Sequence, residues 1–216
     1  MHASETRQMQ SQIGATAAVN QCWRRMKHPS IRRLFGYWNE RRGARLLPRR
    51  EDIEPEAIRC VLADTFILSF APTVGHPIRV AGTRVCALFG REIKGEAFLD
   101  AFSTDARGEV SNLISVIADE SVGVVGSASE QFSDAHTLRF ELLLLPLSLH
   151  GAGIARLLGA LVPADPPAWP STRGLANLAL GSYRFIGGLC SAGLVPGRLL
   201  ERRSDRRFVV YEGGQR

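Results

Sequence analysis

Residues 140–163 form the most apolar stretch of the chain, and its interruptions decide what it can become. Glu141, Pro146, His150, Gly151, Gly153 and Arg156 all fall inside it. A membrane-spanning helix needs about 20 nearly uninterrupted apolar residues, so this stretch is not one. His150-Gly151 divides it into two β-rich runs, 138–147 and 152–162. Both runs are apolar enough to be buried in a sheet, and a connection this short joins strands antiparallel. A third run, 122–128, lies just upstream.

An earlier strand pair stands at 65–71 and 78–81, joined by a loop with Pro72, Gly75 and His76, which is a hairpin pattern. The spacing between the two strand groups is helical. Val85, Leu88 and Phe89 share a face that Gly90 ends, and Phe98 to Phe102 is a short apolar turn. Val110, Leu113, Ile114 and Ile117 mark a helix over 105–120, with Ser103 or Thr104 as its cap. Upstream, Ser30 suits a helix start, and Ile31, Leu34, Phe35 and Trp38 follow at i, i+3, i+4 and i+7. Arg32, Arg33, Arg41 and Arg42 lie mostly off that face and Gly43 stops it, so 30–42 reads as a basic amphipathic helix. Pro55 and Glu56 open another short helix with Ile58, Val61 and Leu62 on its apolar side. Strand hairpins on both sides of a helical insert make an α+β domain with a largely antiparallel sheet.

Three segments follow. Residues 1–27 are an N-terminal extension, partly helical or disordered. Residues 28–163 are the folded domain with its amphipathic helix. Residues 164–216 are a Pro/Gly/Arg-rich tail expected to be largely disordered. Charge follows the same division. The net charge is +6, but it sums to +9 over 1–50, −8 over 51–170 and +5 over 171–216. An overall basic balance invites a nucleic-acid reading, which an acidic body between arginine-rich ends argues against. Cys22, Cys60, Cys86 and Cys190 are scattered and form no CxxC motif, so a reduced, cytoplasmic location is expected. Residues 1–18 lack an apolar core for a signal peptide.

The order of elements resembles the PAS fold, and several stretches resemble a bacterial PAS-like family found mostly in alphaproteobacteria. They are Trp38 through Pro48, then Asp52-Ile53-Glu54-Pro55, Val80 through Arg84, Leu88 through Arg91 with Gly95, and Phe140 through Leu147. The ordered set spans about residues 28–163; no single piece is specific. The resemblance implies a five-stranded antiparallel sheet with helices on one face. It also implies a sensory or protein-interaction module without shared catalytic chemistry.

The residues themselves offer few chemical constellations. Gly151-Ala152-Gly153 lacks the third glycine of a dinucleotide fingerprint and sits between strands, as a hairpin turn would. His2, His28, His76, His136 and His150 include no i, i+4 pair and read as loop or surface positions, so no metal site is expected. The many acidic residues of 91–134 read as a solvated face. Cys86 lies in Arg84-Val-Cys-Ala-Leu88, unlike the reactive-cysteine run of a flavin photosensor. The helix at 105–120 holds no His, Cys, Tyr or Met for haem ligation. No cofactor is therefore expected. The space between helices and sheet either takes an unidentified small ligand or is filled by Phe89, Phe98, Leu113 and Ile117.

Two further sets are candidates. Arg84 and Glu141 each stand in an apolar context, where a charge needs a partner. They pair with each other, read a polar ligand group, or point to solvent. Ile31, Leu34, Phe35 and Trp38 pack on the core or on a second copy, or they contact a protein partner or an anionic membrane. The leading functional expectation is a non-enzymatic PAS-type sensory or interaction module. It would act in bacterial signalling through a separate protein partner or a homodimer, with no specific nucleic acid. The alternative is a basic-ended binder of an anionic membrane surface or nucleic acid. An enzyme ranks last, for want of a nucleophile–base or metal constellation.

Overall fold

The computed structural model describes residues 26–133, 136–148, 154–164 and 174–187. Three helices and six strands appear there: α1 (Pro29–Arg42), β1 (Thr65–Ser69), β2 (Ile78–Ala81), α2 (Thr83–Phe89), α3 (Thr104–Glu120), β3 (Gly123–Ser133), β4 (His136–Ser148), β5 (Ile154–Pro163) and β6 (Ala179–Ile186). The strands form one sheet in the order β2-β1-β5-β4-β3-β6, and every neighbouring pair is antiparallel. This is the expected α+β architecture.

The sheet has six strands where five were expected. The sixth comes from the segment read as a largely disordered tail: β6 pairs with β3 from Gly123↔Ile186 to Ser129↔Ala179. Its glycine and serine mask the strand pattern, while Leu180, Tyr183 and Ile186 are buried. The rest of that tail beyond 187, Cys190 included, lies outside the described residues, as do the 165–173 linker, residues 1–25 and the Gly151–Gly153 turn.

Helices also cover both faces of the sheet, not one. β4 shows why. Leu142 and Leu144 join the core formed with α2 and α3, whereas Leu143, Leu145 and Leu147 join the core formed with α1. A strand buried on both faces has no polar alternation, which accounts for its unbroken apolar text. Pro146 fits because β3 begins at Gly123 and pairs Val124 with Leu144, so Pro146 lies beyond the end of β3. No ladder bond is lost to its missing N–H there. Its carbonyl instead accepts the Trp38 indole N–H at 2.9 Å.

Two local expectations change. α1 is capped by His28, whose Nδ1 accepts the Ser30 N–H at 3.1 Å, with Pro29 as the first helical residue. The helix expected after Pro55 is instead a series of 3-10 turns at Arg50–Asp52, Pro55–Ile58 and Leu62–Asp64.

Candidate functional site

The α2/α3 face of the sheet is where a ligand was considered. Phe66 stacks on Phe98 with centroids 5.3 Å apart, and Phe98 meets Phe102 edge-on at 5.3 Å. These rings, with Phe89, Ile93 and Leu142 among others, surround a cavity of about 10 Å³ with an entirely apolar lining. That is the space of about one water molecule. Phe89 and Phe98 line this space; Leu113 and Ile117 are buried in the same core without lining the cavity. Leu178, just before β6, also lines it.

Arg84 and Glu141 do not pair with each other. The Arg84 guanidinium forks onto Asp64, with Nε 2.5 Å from Oδ1 and Nη2 2.8 Å from Oδ2. Gly82 makes this approach available, since a Cβ there would run into the carbonyls of Leu62 and Ala63. Asp64 also accepts the Ser30 hydroxyl at 2.8 Å, joining α1 to α2. Burial pushes the Asp64 carboxyl up, but the hydrogen bonds from Arg84 and Ser30 outweigh it and hold it below the usual carboxylate range. The Arg84 side chain is 59% exposed and Asp64 only 7%, so the pair presents a cation to solvent over a buried anion.

Glu141 faces α1. Its two oxygens accept the backbone N–H groups of Lys27 at 3.0 Å and His28 at 2.7 Å. Glu130, on β3, does the same for the other flank: Oε2 accepts the N–H groups of Ala176 at 2.9 Å and Asn177 at 3.1 Å. Glu130 is fully buried, which corrects its reading as part of a solvated acidic face. Nothing in the sequence marks the Glu130 contact, because its partners lie 46 and 47 residues away. Asp64 is likewise unmarked in the sequence, standing between Ala63 and Thr65 at the start of β1.

Ile31, Leu34, Phe35 and Trp38 are packed under the sheet at 0–1% exposure. They are therefore unavailable as a partner or membrane contact; their apolar face serves the second core. His76 is likewise not a surface residue. It is fully buried beside Phe70, adopts φ +59°, and leaves Nε2 without a hydrogen-bond partner. Burial holds its imidazole below the usual histidine range. Among the described residues, no group of three His, Cys, Asp or Glu is placed to hold a metal ion, and no helix is long and apolar enough to cross a membrane.

A family model described as PAS domain matches residues 26–162, more than half of the chain. The chain belongs to the PAS domain family. The match stops before β6, so the edge strand of this PAS domain lies outside it. Among solved structures, the chain is similar to the PAS domain of an HTR-like protein from Haloarcula marismortui. That similarity has 18% identity and a TM-score of 0.35, over 50% of this chain and 89% of that one. No curated protein matches the chain.

Proposed function

We propose that this PAS domain is a non-enzymatic sensory or protein-interaction module of bacterial signalling, located in the cytoplasm. It passes its signal to a separate protein partner, with a second copy of the chain as one such partner. PAS domains are typically non-enzymatic sensory modules, and the family supports that much. The observation that carries the finer reading is the small, apolar space on the inner face. Its apolar cavity of about 10 Å³ has no polar group to orient a substrate or cofactor. Asp64, Glu130 and Glu141 are all engaged with the chain's own segments. Recognition then falls to the outer surface.

Native mass spectrometry of the full chain, purified from its own cells, tests this. The expected result is the polypeptide in complex with another protein or a second copy, without a small-molecule adduct. A stoichiometric nucleotide, flavin or haem adduct would overturn it.

A further inference from the structure

β1 and β2 are joined through a bulge. Ile67 pairs with Val80 and Leu68 with Ile78, so Arg79 is the extra residue of β2. Bulges re-aim side chains. This one brings the Arg79 guanidinium to the last residue of β1, where its Nε donates to the Ser69 hydroxyl at 2.5 Å. From the other side comes Arg156, the cross-strand partner of Ser69 on β5. Its Nη1 donates to the same oxygen at 3.0 Å. Ser69 lies two residues beyond Ile67, on the α1 face of the sheet. It is 2% exposed, whereas Arg79 is an exposed residue.

We propose that this cluster is a binding site for a phosphoryl group, with Arg79 as the contacting residue and Ser69 and Arg156 as positioning residues. The two guanidinium groups stand no more than two hydrogen-bond lengths apart. The hydroxyl between them spends both lone pairs on orienting them and, being neutral, offsets neither charge. Acidic side chains do not supply that offset. Residues 65–91 and 142–164, which contain β1, β2 and β5, hold no Asp or Glu. Asp64 and Glu96 serve Arg84 and Arg91 instead. Among the described residues, Arg79 makes no ion pair, and its two Nη groups have no acceptor.

A fork of guanidinium donors with a second cation behind it suits a dianion that offers paired oxygens. A phosphoryl group has both properties; a carboxylate has the oxygens but one charge. Two sources carry that chemistry, a free phosphate ion and a phosphorylated side chain of a protein partner. The inner cavity plays no part in either.

The test titrates the full chain, labelled with nitrogen-15, at constant ionic strength and about pH 8, where phosphoryl groups are dianionic. The probes are inorganic phosphate and N-acetyl-phosphoserine amide, with acetate and chloride as controls. The Nε–H resonance of Arg79, assigned by its loss in Arg79→Gln, is expected to shift saturably with the phosphoryl probes only. Calorimetry should show phosphate affinity falling about tenfold in Arg79→Gln and partly recovered in Arg79→Lys, which keeps the charge without the fork. Ser69→Ala should lower it severalfold, and Ser69→Thr, which restores the hydroxyl, should recover it. Circular dichroism of each variant checks the fold. Tighter binding of the phosphoserine amide than of inorganic phosphate supports the site with a partner's side chain as the source; equal or weaker binding supports it with the free ion. An Arg79 resonance that phosphate does not move, or that acetate and chloride move equally, overturns the proposal. So does a phosphate affinity that Arg79→Gln leaves unchanged.

Discussion

Asp64 and Arg84 form a two-pronged ion pair whose anion is buried and whose cation is mostly in water. The pair sits where α1, the turn before β1 and the start of α2 come together, and Ser30 supplies the third bond. Removing Arg84 therefore strands a buried charge. Arg84→Ala should cost about 1–3 kcal/mol at neutral pH, measured by urea denaturation. The sign with pH follows from the lowered Asp64 pKa. The stabilisation is present above the unfolded value of about 3.9 and is lost as pH falls through the folded one, so the gap between wild type and variant should close in acid. A double-mutant cycle of Asp64→Asn with Arg84→Ala should show coupling.

The carboxylate of Glu141 holds the chain ahead of α1 through two consecutive N–H groups. Glu141→Gln keeps one acceptor oxygen and puts an NH2 group against a donor. A loss of about 1–3 kcal/mol is expected. Hydrogen exchange should quicken over Ile31–Trp38 before it quickens in β4. Uniform quickening across the domain would show that the contact does not hold α1 in particular.

His76 also makes stability fall in acid, here because burial disfavours the protonated ring. Its folded pKa lies below the ordinary 6.5. Above the unfolded value both states are neutral and the histidine contributes nothing to the slope. As pH falls below it, the unfolded chain takes up the proton first, and the melting temperature should drop until the folded pKa is passed. His76→Asn, which tolerates the positive φ, should flatten that decline in calorimetry below about pH 6.5.

Gly159 lies directly beneath the Phe66 ring, where an added Cβ would collide with the Cε2 and Cζ atoms. Gly159→Ala must push Phe66 into Phe98, and from there into Phe102. Overpacking of this kind costs about 1–3 kcal/mol. The cost should appear as a lower melting temperature, and Phe66→Leu in the same chain should recover part of it.

The helices and the first five strands were legible because their apolar spacing is local. The runs at 65–71, 78–81 and 138–147 all fall on observed strands. Ile31 to Trp38 also signalled a helix, but spacing says only that one face is apolar, not what covers it. The covering surface is made by Leu143, Leu145, Leu158 and Val162, more than a hundred residues later. β6 was hidden by Gly181 and Ser182 within it and by Gly174, Gly187 and Gly188 around it. Arg84 and Glu141 were recognised as charges needing partners. Their actual partners, a carboxylate 20 residues upstream and two backbone N–H groups more than 110 residues upstream, follow from topology and leave no pattern in the text.

The docking of α1 has a consequence for biosynthesis. The Pro146 carbonyl that receives the Trp38 indole follows it by 108 residues along the chain. At about 5–20 residues per second, roughly 5–20 seconds pass before that strand is synthesised. During that interval Phe35 and Trp38 have no sheet to pack on, so the first helix to be made is among the last to be buried.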